Sequence, residues 1–391
     1  MRDQISKQRS KDVWLTPDHG DFERFVAQTA QITRAEDWPF ASDIQSNIPI
    51  YQGDMVRAEA AAPHALMAEW ATCLASGPGV IVVKAAMEDL GVVDRATRLF
   101  DQIIQSEAEA GTAVSDHFAK PGANDRVWNA LQKHCLADPA NFARYYANDT
   151  LALVSRAWLG AGYQVTAQVN RVNPGGAAQK AHRDYHLGFM SPQQMMAYPS
   201  HVHGVSPMLT LQGAIAHCDM PVESGPTMVL PFSQKFFEGY LAFGRPEFQA
   251  HFAKHHAQLP LEKGDMVFFN PALMHGAGHN VTTDIQRMAN LLQIGSAFGR
   301  TMEAVDRGAM SVALYPELLR EKDRLGARGV ENAIAACAEG YPFPTSMDTD
   351  PPVAGLAPAT QATKMAEALE AGLSAQDWNQ FVEGWEAART A

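Results

Sequence analysis

Between about Tyr163 and Ser296 the chain reads as short apolar strands broken by closely spaced turns. The turn signals are Asn173-Pro174-Gly175-Gly176, Glu223-Ser224-Gly225-Pro226 and Glu262-Lys263-Gly264-Asp265. Gly, Pro, Asn and Asp at such positions reverse the chain too often for the long crossovers that parallel strands require. The region is therefore restricted to a sandwich or a jelly roll. Upstream, Leu66, Met67, Trp70 and Leu74 follow helical spacing, and Gly77-Pro78-Gly79 ends that helix. Val80-Ile81-Val82-Val83 is β-branched throughout and predicts a buried strand. A second helix follows, with Val93, Ala96, Leu99, Phe100, Ile103 and Ile104 in one stripe. The aromatic segment from Phe232 to Leu259 predicts a helical insertion.

The flanks read differently. Residues 1–60 are polar and mixed, with one short helix at Phe22, Phe25 and Val26 and a packed loop at Trp38-Pro39-Phe40. They are expected to cover a core domain at 61–300. Residues 301–391 form a helical C-terminal extension, interrupted by a proline-rich strap from Tyr341-Pro342-Phe343-Pro344 to Asp350-Pro351-Pro352. In its last helix Ser374 is the cap, Asp377 the capping-box partner, and Trp378, Phe381, Val382 and Trp385 the apolar stripe. That stripe serves either the core or an interface in a homodimer.

Charge and cysteine usage narrow the function classes. A net charge of −12 disfavours nucleic acid and anionic membranes as partners. Cys73, Cys135, Cys218 and Cys337 contain no Cys-x-x-Cys pair and do not read as a disulfide framework. The polar start carries no secretory signal, and no run of apolar residues is long enough to span a bilayer. A reduced, cytoplasmic location is expected.

The chemistry concentrates in His182-Arg183-Asp184 and, far downstream, His275 and Arg287. On a strand or strand end from Ala181 to Tyr185, His182 and Asp184 face one way and Arg183 the other. His275 ends the apolar stretch Phe268-Phe269-Asn270-Pro271-Ala272-Leu273-Met274 and is followed by glycines that let the backbone pass close by. His279 is the rival ligand; His275 is preferred because it directly follows the strand. Two imidazoles and one carboxylate leave three open positions on an octahedral ion, the arrangement of non-heme Fe(II) oxygenases. Arg287 offers a planar fork to the far carboxylate of a keto-acid co-substrate. Gln212, polar in an apolar strand, either points inward to the same co-substrate, packs as a satisfied core amide, or faces outward. Tyr185 and His186, beside the ligands, either line a substrate pocket or pack the barrel mouth.

These residues resemble the phytanoyl-CoA dioxygenase family of iron- and 2-oxoglutarate-dependent oxygenases. The resemblance runs from about Gly77 to Ile294. It is carried by Gly79-Val80-Ile81-Val82-Val83, Ala181-His182-Arg183-Asp184-Tyr185, Ser224-Gly225-Pro226 through Pro231-Phe232-Ser233-Gln234, and Lys263-Gly264-Asp265-Met266-Val267-Phe268 leading to His275-Gly276. The third stretch is most similar to the ectoine hydroxylase branch. The resemblance implies a mainly β fold, a double-stranded β-helix (jelly-roll, cupin-like) core with flanking helices. It implies His182, Asp184 and His275 as iron ligands, Arg287 as the 2-oxoglutarate anchor and Gln212 as a further polar contact to it. It also implies Fe(II), 2-oxoglutarate and O₂ as cofactor and co-substrates, and a small-molecule substrate. Two positions depart from the pattern. Ala277 replaces a frequent serine, and Phe232-Ser233-Gln234 replaces Gly-Ser-His.

The expected activity is hydroxylation of an unactivated C–H bond, with release of succinate and CO₂. Asp184 argues against an iron halogenase, which lacks the carboxylate ligand. The competing readings are an oxygenase that desaturates, cyclises or epimerises, and a non-oxidative metal-dependent jelly-roll isomerase or binding module. Arg287 speaks against the last pair, which need no carboxylate clamp.

Overall fold

The computed structural model of the chain describes residues 2–112, 122–343 and 346–389. Among these, two compact units separate: 2–86, 122–125 and 170–291 in the first, the remainder in the second. Eleven strands are formed by described residues. They are β1 (Asp43–Gln45), β2 (Ile48–Gln52), β3 (Val80–Lys84), β4 (Asn124–Val127), β5 (Gln164–Val172), β6 (Thr210–Ala216), β7 (Thr227–Leu230), β8 (Ala257–Gln258), β9 (Met266–Phe269), β10 (Met274–Ala277) and β11 (Arg287–Gly295).

The first unit contains two sheets. The larger has the order β1-β2-β3-β9-β6-β11, continued by residues 170–172 of β5 and 124–125 of β4. Its centre is the predicted β-branched run, paired antiparallel to β9 on one side and parallel to β2 on the other. The smaller sheet has the order β10-β7-β8, antiparallel at both joints. Strand alternation sends Val80, Val82, Ala214, Ala216, Val267 and Phe269 to one face of the large sheet. There they meet Val229 and Ala257 of the small sheet in one buried cluster. The turn at 262–265 is tied down by Asp265, which accepts from the backbone N–H groups of Glu262 (2.7 Å) and Ala85 (2.8 Å) and pairs with Lys84 at 2.5 Å.

The N-terminal segment is more than a cover. The helix expected near Phe22 is present at Phe22–Thr29, but β1 and β2 also join the large sheet. Ser46 and Asn47 connect them with φ of 49° and 69°, the doubly left-handed geometry of a two-residue hairpin turn. Asn47 is held there by Thr33, whose backbone N–H reaches its Oδ1 at 2.9 Å and whose hydroxyl reaches its carbonyl at 2.7 Å. Ile48 to Tyr51 are buried.

The second unit is built mainly of helices. Helix Arg307–Cys337 carries Pro316 inside and breaks at Gly326, where φ is 68°. Arg144 forks onto Glu321 at 3.1 and 3.0 Å, and Arg328 onto Asp149 at 2.8 and 2.9 Å, pinning this helix to its neighbours. The final helix starts as expected: Asp377 N–H donates to Ser374 Oγ at 3.2 Å and Ser374 Oγ to Asp377 Oδ2 at 2.7 Å. Of its stripe, Trp378 and Val382 are core, with Trp378 stacked on Tyr315 at 5.2 Å, while Phe381 and Trp385 are partly exposed. Of the proline-rich strap, Pro344 lies outside the described residues.

The expectation of a mainly β chain holds only for the two sheets and needs correction elsewhere. About 49 % of the chain is helical. Helices Ala130–Ala137, Pro139–Tyr146 and Asp149–Leu159 fill a stretch for which the strand reading made no provision. Inside them His134 is fully buried against Phe100, Phe142 and Tyr145. Its Nε2 donates to Asn141 Oδ1 at 2.8 Å, and burial pushes its pKa down to about 4.

This buried imidazole sets a pH dependence. An unfolded histidine titrates near ~6.5, so on acidification the unfolded state takes up the proton first. The stability it contributes is present above ~6.5 and declines as pH falls towards the folded value, by about 1.4 kcal/mol per unit at most. Denaturant titrations of wild type and His134→Gln between about pH 6 and 4 should differ in slope by roughly one proton.

Candidate metal centre

The ligand-bearing segments are joined by backbone. His182 N–H donates to the His275 carbonyl at 2.9 Å, and His275 N–H returns a bond to the His182 carbonyl at 3.0 Å. This is an isolated antiparallel bridge. The strand expected over Ala181 to Tyr185 therefore shrinks to a single bridged residue, followed by irregular backbone. His275 itself is on β10, opposite Val229 of β7. Asp184 is set by its own N–H, which donates to the Pro271 carbonyl at 3.1 Å.

His182, Asp184 and His275 converge, each with a ligand atom within 4.8 Å of the others. His182 Nδ1 faces the Lys180 carbonyl at 2.9 Å, and His275 Nδ1 faces the Leu273 carbonyl at 2.8 Å. A carbonyl only accepts, so each Nδ1 carries the proton and each Nε2 is a bare lone pair. Those lone pairs point at a carboxylate: His182 Nε2 lies 3.5 Å from Asp184 Oδ1, and His275 Nε2 lies 3.7 Å from Oδ2. Three electron-pair donors facing one another repel unless a cation sits among them. Asp184 Oδ1 is also buried without a hydrogen-bond partner, as a coordinating oxygen would be. Burial, reinforced by the neighbouring His182, pushes the His275 pKa down to about 4, which keeps it an unprotonated donor at neutral pH. With no thiolate in the set, the donors fit Fe(II) better than a structural zinc.

The other expected residues are distributed around this centre. Gln212 on β6 donates through Nε2 to Asp184 Oδ2, so it contacts the carboxylate ligand. Arg287 opens β11 on the face shared by Ala289 and Leu291, which pack on the cluster between the sheets. It is only 6 % exposed, and burial lowers its pKa to about 10, leaving it cationic at neutral pH. No Asp or Glu among the described residues pairs with it. His279 is exposed and outside the cluster. Tyr185 is buried among Leu15, Met195 and Tyr240, its hydroxyl 3.2 Å from His203 Nδ1. His186 is half-buried, with Nδ1 at 2.7 Å from Thr210 Oγ1. Arg183, read from the sequence only as facing away from the ligands, is buried and forked onto backbone carbonyls.

Two histidines with fixed tautomers and a carboxylate gather beside a sheet that buries a cation, and the protein is an enzyme of the 2-oxoglutarate oxygenase kind. The sequence model of the phytanoyl-CoA dioxygenase (PhyH) family matches residues 76–289, more than half of the chain, and the protein belongs to that family. Iron and 2-oxoglutarate are its cofactors. Comparison with curated proteins finds no match. Similar solved structures include the non-heme α-ketoglutarate-dependent epimerase SnoN from nogalamycin biosynthesis, at 18 % identity and TM-score 0.42, covering 60 % of this chain and 84 % of that one. They also include EctD from S. alaskensis with bound Fe, at 20 % identity and TM-score 0.43, covering 60 % and 79 %. EctD with 2-oxoglutarate and 5-hydroxyectoine gives 21 %, 0.43, 60 % and 77 %. No helix among the described residues is long and apolar enough to cross a membrane.

The two candidate distal histidines are separable by metal binding alone. His275→Ala should weaken Mn(II) binding to the metal-free protein by more than the ~10–100-fold typical of outer-sphere partners. His279→Ala should leave it unchanged, as read by electron paramagnetic resonance of free Mn(II).

Proposed function

We propose that this chain hydroxylates an unactivated C–H bond of a small-molecule metabolite, using Fe(II), 2-oxoglutarate and O₂. The observation that carries this reading is the convergence of two Nδ1-protonated imidazoles on the Asp184 carboxylate, one oxygen of which is buried without a hydrogen-bond partner. His182, Asp184 and His275 would hold the iron. Bound Fe(II), together with the keto acid, supplies the oxidising power of O₂ while 2-oxoglutarate is converted to succinate and CO₂.

The remaining roles belong to the protein. The carbonyls of Lys180 and Leu273 hold the imidazoles in one tautomer and one orientation, which raises their basicity as donors. Gln212 restrains the Asp184 carboxylate through Oδ2 and leaves Oδ1 for the metal. Arg287, buried and cationic, suits the distal carboxylate of the keto acid, with a bidentate fork fixing its direction. The apolar cluster between the sheets excludes water from the same space. In this reading residues 61–300 are the oxygenase domain, its two facing sheets the halves of a double-stranded β-helix. Tyr185, packed in an aromatic cluster, supports the site from behind, and His186 is the nearer candidate for substrate contact.

Two measurements test this. Arg287→Met should raise the KM for 2-oxoglutarate by ~30-fold or more, because removing one member of a buried charge pair costs about 2–5 kcal/mol. Succinate release against 2-oxoglutarate concentration reads it. Product analysis then separates the reactions: a substrate that accelerates succinate formation should gain one oxygen atom. Unchanged composition would mean epimerisation, and loss of two hydrogens desaturation or ring closure. Absence of any Fe(II)-dependent succinate formation would favour a non-oxidative jelly-roll protein.

A further inference from the structure

Arg183 lies between two of the metal-site residues in sequence, yet its side chain leaves the site altogether. It is 3 % exposed. Its two terminal nitrogens donate to consecutive-turn carbonyls, Nη1 to Phe236 at 3.0 Å and Nη2 to Ser233. These carbonyls belong to the short 3₁₀ turn Ser233–Lys235 and its C-cap. The ring of Tyr240 covers the guanidinium at 5.7 Å. Among the described residues no side-chain carboxylate meets it in a hydrogen bond, so the residue serves here as a two-pronged backbone clamp. Space for it is made by Gly239, where an added Cβ would fall 2.0 Å from Arg183 Cζ.

The clamped turn also holds the other half of the site. Ser233 Oγ accepts from the backbone N–H of Met274 at 2.8 Å, one residue before His275. The turn is fixed in turn by Phe232, whose N–H donates to the Pro78 carbonyl at 3.0 Å and whose φ is 67°. A left-handed phenylalanine is strained and persists only where its surroundings hold it. One turn is thus bonded to the segment bearing His182 and Asp184, through Arg183, and to the strand bearing His275, through Ser233. Besides the His182–His275 bridge and the Asp184 N–H bond to the Pro271 carbonyl, the irregular backbone after Ala181 has no strand ladder to hold Asp184.

We propose that Arg183 is a positioning residue of the metal centre: by gripping the Ser233–Phe236 turn from behind, it fixes the spacing of His182 and Asp184 against His275. The inference rests on the metal-site reading above and concerns how the site is pre-organised. It assigns a role to Gly239 as well, that of admitting the guanidinium.

The test is Mn(II) titration of the full-length, metal-free chain, with circular dichroism and thermal unfolding of each apo-protein measured alongside. Arg183→Met and Gly239→Ala should each weaken Mn(II) binding ~10-fold or more, the range seen when an outer partner of a metal ligand is lost. Arg183→Lys, which retains the charge without the fork, should fall between them and wild type. Phe248→Leu, in the apolar cluster beside Phe236, should lower the unfolding temperature without changing the Mn(II) affinity. Folded Arg183→Met or Gly239→Ala protein with wild-type affinity would overturn the proposal, and so would equal weakening by Phe248→Leu. If Arg183→Met does not fold, Gly239→Ala decides, since it displaces the side chain without removing it. Failure of wild type to bind Mn(II) would instead sink the metal-site reading itself.

Discussion

Two backbone hydrogen bonds between His182 and His275 bring together residues far apart in sequence, and the site depends on them. The bridge is isolated, with one residue pair and no ladder on either side. It nevertheless fixes the distance between two imidazole-bearing backbones, and the carbonyls of Lys180 and Leu273 then fix the ring tautomers. Once these are set, Asp184 has little freedom. Its amide is bonded to Pro271 and one carboxylate oxygen to Gln212. Backbone groups thus supply much of the confinement of these ligands, and such groups are insensitive to side-chain identity.

Electrostatically, two places in the first unit lack a complement among the described residues. The metal centre gathers lone pairs and a carboxylate oxygen with no donor. Arg287 is a buried cation without an Asp or Glu partner among the described residues. Buried ions left in this state destabilise a fold unless something neutralises them. Under the proposed function, a divalent cation and a dicarboxylate would answer both needs.

Much of this was readable in the sequence because it follows local rules. The β-branched run at Val80, the capped last helix and the strand opening at Arg287 obey propensity and period, and each appears as an element. His182, Asp184 and His275 were linked through assumed strand alternation and the family resemblance; they do converge, although His182 sits on a single bridge and not on a strand. Other features lacked a local signal. Ile48-Pro49-Ile50-Tyr51 is a sheet member, but Pro49 and its polar surroundings obscure the strand, which is held by pairing with β1 and β3. The partner of Gln212 could not be read, since a polar residue in a strand says nothing about what lies opposite. Arg183 was legible only as facing away; its carbonyl partners come from a turn 50 residues downstream. The helices from Ala130 to Leu159 are short, 8, 8 and 11 residues, and depend on packing against their neighbours more than on a long periodic pattern.

The order of the large sheet bears on how the chain is made. Strand β3 is flanked by β2, synthesised shortly before it, and by β9, which begins at Met266, 182 residues after Lys84. At a translation rate of about 5–20 residues per second, the β-branched edge of β3 waits roughly 10–40 s for its antiparallel neighbour. During that interval a nascent chain exposes an apolar strand edge of the kind that templates association between chains. The topology that later encloses the metal centre thus makes ribosome-bound intermediates the stage at which this protein is most exposed to aggregation, and slower growth at low temperature with chaperone supply is the natural remedy during recombinant production.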